Sequence, residues 1–195
     1  LRRFAVTPGA WAWVALAAVL AAGALLGQRV EPTAIDWQPS LAVREPWRAL
    51  SALGVHYSAL HLRANLAGTL LVAALGVAAQ LTRRAAAAWA LACPLTQLAL
   101  LAQPALLHYG GLSGVLHAGV AVVGMELLIG ARGARRVIGE ALLVGLALKV
   151  GLETPWHGPL SHPPGWDIAV APFAHATGLV TGIGCALLFQ ALRRR

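Results

Sequence analysis

The chain has 195 residues, 58% of them hydrophobic and 11% charged, with a formal net charge of +8 and a mean hydropathy of +0.70. That length suits one domain, and so apolar a composition excludes an ordinary soluble one. The basic residues fall in short clusters between apolar runs, which excludes the continuous positive surface that nucleic acid requires.

Arg2, Arg3 and a Pro8-Gly9 break precede an apolar run from Trp11 to Leu26. Its basic flank resembles a signal peptide, but its length and the lack of a small-residue cleavage site before a soluble domain predict a first membrane span. Residues 28–47 carry Arg29, Glu31, Asp36, Arg44 and Glu45 among Pro32, Pro39 and Pro46. This predicts a polar, partly helical loop in the membrane interface, anchored by Trp37 and Trp47. A second span is expected from His56 to Leu81, before Arg83-Arg84. The third runs from Ala85 to Leu107, with Pro94 and Pro104 as kink sites. The fourth runs from Ser113 to near Arg132, and the fifth from Val137 to Thr154, after Arg135-Arg136. A loop rich in Pro, Trp and His (155–167) covers the mouth of any cavity below it. The sixth span, from Ile168 to Leu192, ends at Arg193-Arg194-Arg195.

The fold class expected is therefore an all-α polytopic bundle of six transmembrane helices in one domain, residues 1–195. Basic residues test its orientation. With the N-terminus inside, Arg2, Arg3, Arg83, Arg84, Arg132, Arg135, Arg136, Arg193, Arg194 and Arg195 lie inside, and Arg29, Arg44 and Arg48 outside. Both termini are thus expected in the cytoplasm. Cys93 and Cys185 fall inside spans, so no disulfide framework is expected. No internal repeat supports an inverted-repeat transporter.

Polar residues at membrane depth are costly, which makes them functional candidates. Ser113 lies in Gly110-Gly111-Leu112-Ser113-Gly114-Val115-Leu116-His117, where glycines permit a sharp turn and close approach of another helix. His175 shares one helix face with Gly178 and Gly182, and a histidine on a small-residue face can serve a neighbouring serine as general base. The alternative is a buried histidine bonded to a carbonyl. His61 and Asn65, four residues apart, point the same way on the second span, with Gly68 extending their face. They can hold an oxyanion together with the Ser113 N–H, or act as polar glue between helices. A metal site built from His56, His61, His117 and His175 is a third option, without a His-Glu-x-x-His spacing to support it. The aspartates, Asp36 and Asp167, lie outside the membrane, and Asp167 is more than two turns from His175, so a Ser–His dyad without a carboxylate is expected.

In combination these residues resemble the rhomboid family of intramembrane serine proteases. The resemblance covers residues 47–182 and is carried by Trp47-Arg48, His56-x-x-x-x-His61-x-x-x-Asn65, Gly111-Leu112-Ser113-Gly114 and Ala174-His175-x-x-Gly178-x-x-x-Gly182. The sequence around Tyr109–His117, and Lys149-x-x-x-Glu153, are similar to the rhombosortase branch. The resemblance implies Ser113 as nucleophile, His175 as general base, and His61 and Asn65 as oxyanion donors, with Gly111 and Leu112 in the oxyanion and substrate-binding stretch. It implies no cofactor and no metal. It implies a multi-pass enzyme of a bacterial inner membrane whose partners are the lipid bilayer and membrane-anchored proteins with a C-terminal hydrophobic helix. From these it would remove a tail of Gly-Gly motif, hydrophobic helix and basic cluster. A glycine-rich segment suits such cleavage, because it unwinds from a helix at low cost.

Arg63 departs from the apolar residues usual between His61 and Asn65, and it lies about 200° round the helix from His61, away from the site. His117 is a secondary candidate that lines the cavity or bonds a neighbouring helix. Lys149 and Glu153 are expected to neutralise each other, and Glu126 to be structural. His157 and His162 read as inert loop residues, Trp156 and Trp166 as interface anchors. The rival functions are a catalytically inactive rhomboid-like protein that binds transmembrane helices, and a channel or small-solute transporter.

Overall fold

A computed structural model describes residues 7–193. Arg2, Arg3, Arg194 and Arg195 lie outside the described residues. Among these the chain forms eight α-helices: α1 (Pro8–Gly27), α2 (Pro32–Ile35), α3 (Arg48–Ser51), α4 (Ala59–Ala78), α5 (Arg83–Leu98), α6 (Ser113–Gly130), α7 (Ala134–Leu152) and α8 (Pro172–Arg193). Three long helices start where a hydroxyl can cap them. Thr7, Ser58 and Thr82 each accept a bond from the backbone N–H three residues on, at 3.2, 3.0 and 3.2 Å.

Five segments are long and apolar enough to cross a membrane: α1, α4, α5 with the 3₁₀ turn Ala99–Ala102 that continues it, α6 and α8. This is the architecture of a multi-pass membrane protein, and Val19, Leu70, Val144, Leu148 and Val180 face outward from it. The expected fifth span, α7, falls short of that standard because Arg135, Arg136, Glu140 and Lys149 all lie within its 19 residues. The third span is shorter than expected. Pro94 sits within α5, but helical structure stops at Ala102, because Pro104 disfavours helical backbone in the residue before it.

The core is built around α6, which packs against α4, α5, α7 and α8. Small residues set the closest crossing. A Cβ on Gly178 would collide with the Gly114 carbonyl, and one on Gly182 would come 2.5 Å from the Ala118 carbonyl oxygen. Two buried tryptophans hold the opposite flank. Trp13 Nε1 donates to the Val72 carbonyl and Trp89 Nε1 to the Val115 carbonyl, each at 2.9 Å, and their rings lie 4.3 Å apart.

The loop before α4 is partly helical, but one of its two expected anchors is not at a surface. Trp37 is fully buried rather than an interface anchor, because its backbone pairs with Tyr109 (N–H to O, 2.7 and 2.9 Å) and draws the indole inward. Trp47 stays half-exposed. Beside Trp37, the buried Asp36 carboxylate accepts from Gln38 Nε2 at 2.8 Å and Tyr57 OH at 3.2 Å, and meets His108 Nδ1 at 2.8 Å. Arg48 Nη1 lies 3.6 Å from it. Burial and this carboxylate push the Tyr57 phenol well above its ordinary range, so it remains a donor. Removing one partner of a buried charged network strands the others. Asp36→Ala is therefore expected to cost about 3 kcal/mol, read as a lower thermal midpoint in detergent.

Candidate active site

A cavity of about 460 Å³ opens between α4, α6, α7 and α8, beneath the segment 155–171. It gathers Ser113, His175, His61, Asn65 and His117 from three helices that sequence alone could not place together. Ser113 is the first residue of α6, and Leu112, which precedes it, supplies no side-chain cap to that helix. The Tyr109 hydroxyl lies 3.4 Å from Ser113 Oγ and accepts from the Gly114 N–H at 3.5 Å. His175 Nε2 lies 3.0 Å from Ser113 Oγ. That is the separation at which a hydroxyl passes its proton to an imidazole.

The other side of the cavity carries the donors. His61 and Asn65 are both buried on α4, and His61 Nδ1 and Asn65 Nδ2 have no hydrogen-bond partner among the described residues. A buried polar atom held without a partner is costly unless a ligand fills it. Both flank the backbone of Gly111, whose φ of +115° suits only glycine. A Cβ there would come within 2.6 Å of His61 Nε2 and 3.5 Å of Asn65 Nδ2. Leu112 turns its side chain into the core, fully buried. Neither it nor Gly111 lines the cavity. If the donors stabilise an oxyanion, His61→Ala and Asn65→Ala should each lower kcat roughly 10²- to 10³-fold with little change in KM, measured on a cleavable reporter.

The expectation that no carboxylate reaches His175 is not met. Glu153, just past the end of α7, places Oε2 2.6 Å from His175 Nδ1. It also bonds Lys149, Oε1 to Nζ at 2.8 Å, so the pair is coupled to the histidine rather than merely self-neutralised. Lys149 Nζ lies 2.6 Å from His117 Nε2, and His117 Nδ1 2.6 Å from the Ser113 carbonyl oxygen. The two imidazoles stack at 4.2 Å, 10° from parallel. His117 thus lines the cavity and bonds a neighbouring helix at once.

Other predicted residues lie apart. Arg63 is exposed and does not line the cavity. His56 is buried beside His61, at 4.7 Å between rings, but outside the cavity lining. Glu126 accepts from Gln190 Nε2 at 2.9 Å, far from Ser113 in sequence and at the other end of α6. His157 and His162 are exposed and off the cavity, whereas Trp166 lines its mouth. Asp167 accepts from the Ser58 hydroxyl at 2.7 Å and ties that loop to the start of α4. Tyr57, His108 and Tyr109 line the cavity without having been predicted to. Among the described residues no group of three or more His, Cys, Asp and Glu side chains is placed to hold a metal ion. No family model and no curated protein matches this chain.

Proposed function

We infer that this protein is an intramembrane serine endopeptidase of the rhomboid type, closest in character to the rhombosortase branch. The observation that carries the reading is the 3.0 Å contact between Ser113 Oγ and His175 Nε2 in a cavity that also holds unpartnered donors. In this reading α7 also crosses the membrane, as the fifth of six spans, its Arg135 and Arg136 remaining at the cytoplasmic surface, and both termini are cytoplasmic. The membrane is a bacterial inner membrane.

Ser113 attacks the scissile carbonyl as His175 takes its proton. The oxyanion is received by His61, Asn65 and the Ser113 N–H at the start of α6, where the helix dipole adds favourable field. His175 then protonates the leaving amine, and water releases the acyl-enzyme. The substrate is a membrane-anchored protein whose Gly-Gly segment and hydrophobic C-terminal helix enter the cavity. A helix interior hides its carbonyls in i to i+4 bonds, so a segment that unwinds easily is the one that reaches Ser113.

The experiment is co-expression with an exported reporter bearing such a tail. Wild type should shorten the reporter, and Ser113→Ala should leave it intact. Capture of the uncut reporter by both proteins would favour a helix-binding protein, and solute flux that survives Ser113→Ala a channel.

A further inference from the structure

The contacts around Ser113 close on themselves. Lys149 carries only donors and ionised Glu153 only acceptors, and these two facts fix the protons between them. Because His117 Nε2 must accept from Lys149 Nζ at 2.6 Å, His117 Nδ1–H donates to the Ser113 carbonyl at 2.6 Å. Lys149 also donates to Glu153 Oε1 at 2.8 Å. On the other side, His175 Nδ1–H must donate to Glu153 Oε2 at 2.6 Å, which leaves Nε2 free to accept from the Ser113 hydroxyl at 3.0 Å. The chain of bonds leaves Ser113 by its hydroxyl and returns at its carbonyl. Two i, i+4 pairs, Ser113 with His117 and Lys149 with Glu153, face each other across α6 and α7, with His175 from α8 completing the circuit.

We propose that Glu153, Lys149 and His117 are positioning residues of this site, holding His175 in the one tautomer that can take the Ser113 proton. Glu153 acts on the imidazole directly. Lys149 and His117 fix the carboxylate from its far side and tie it to the backbone of the nucleophile. The inference rests on the reading of Ser113 and His175 as a hydrolytic pair.

The proton accounting is closed. As the Oγ–C bond forms, the Ser113 proton moves to His175 Nε2, and the imidazolium is balanced by Glu153. As the C–N bond breaks, that proton leaves with the amine. Lys149 keeps its protons throughout. Its Nζ lies 3.1 Å from His175 Nδ1, but both atoms are donors, so the carboxylate they share holds them together. The cation also cancels the Glu153 charge, leaving the ring neutral until the proton moves.

The test uses the purified full chain in detergent and two readouts. The first is the far-downfield proton NMR signal of the short His175–Glu153 bond. It should be present in wild type and in Ser113→Ala, and absent from Glu153→Gln and His175→Ala. The second is the rate of fluorophosphonate labelling at Ser113. It should fall roughly 10²- to 10⁴-fold in Glu153→Gln with helicity unchanged. Lys149→Met should lose on the order of tenfold, the rate equivalent of one lost hydrogen bond, and Lys149→Arg less than Lys149→Met. The double variant Glu153→Gln/Lys149→Met should be no slower than Glu153→Gln alone, since a ring broken once is not broken twice, whereas independent effects multiply. Labelling of Glu153→Gln at the wild-type rate, or absence of the downfield signal from Ser113→Ala, overturns the ring and leaves the hydrolytic pair standing. A downfield signal in a folded wild type that cannot be labelled at Ser113 sinks the hydrolase reading, and this inference with it.

Discussion

Ser113→Ala and His175→Ala are each expected to reduce hydrolysis of a tail-bearing reporter by more than about 10³-fold, and the double variant is expected to be no slower than the worse single one. The nucleophile and its base act as a unit. Without the imidazole the hydroxyl keeps its proton, and without the hydroxyl the imidazole has nothing to activate. What survives is the residual effect of the unpartnered donors on α4 and of substrate positioning, which is shared by all three variants. The measurement is initial cleavage rate in proteoliposomes at matched protein content. Losses that multiply in the double variant would mean that the two side chains contribute separately, and the 3.0 Å contact between them would then not be the working one.

The second large effect is expected from Gly178→Val. A Cβ at this position meets the Gly114 backbone, with the carbonyl carbon at 2.8 Å and Cα at 3.2 Å, and backbone cannot step aside as a side chain can. α8 must therefore move off α6. Overpacking of this kind costs about 1–3 kcal/mol or more. His175 lies only three residues before Gly178 on the same helix, so the shift is passed straight to the Ser–His contact. A misplacement of about 1 Å can cost 10²-fold in rate. The variant should thus lose both thermal stability and cleavage, with cleavage falling further than the folded fraction. Gly184→Val is the control. Beyond its own stretch of helix no atom lies within 4 Å of a Cβ placed there, and it should stay close to wild type in both respects.

Much of this was legible from residue order. Apolar runs alone locate α1 and α4 within a few residues of their observed bounds, and the start but not the end of α5. The helical spacing of His61 with Asn65, and of His175 with Gly178 and Gly182, depends only on the 3.6-residue period, so it was readable without tertiary knowledge. Glu153 was not readable in its role. Its meeting with His175 depends on where α7 ends relative to α8, and local sequence reports only the i, i+4 relation to Lys149, which suggests a self-contained ion pair. A carboxylate sought among aspartates alone was also bound to be missed. Trp37 is misleading for a related reason. A tryptophan in a polar, proline-rich loop has the composition of an interface anchor, but pairing with Tyr109, 72 positions later, buries it. α7 lies between these cases, since its charges at both ends blur the apolar run between them.

The measurement that bears most directly on the central claim is the identification of the residue modified by a fluorophosphonate probe on the purified, folded chain. Peptide mapping should find the adduct on Ser113 in wild type and none in Ser113→Ala or His175→Ala. An adduct on any other serine, or labelling that persists undiminished in Ser113→Ala, would contradict the assignment of Ser113 as the activated nucleophile.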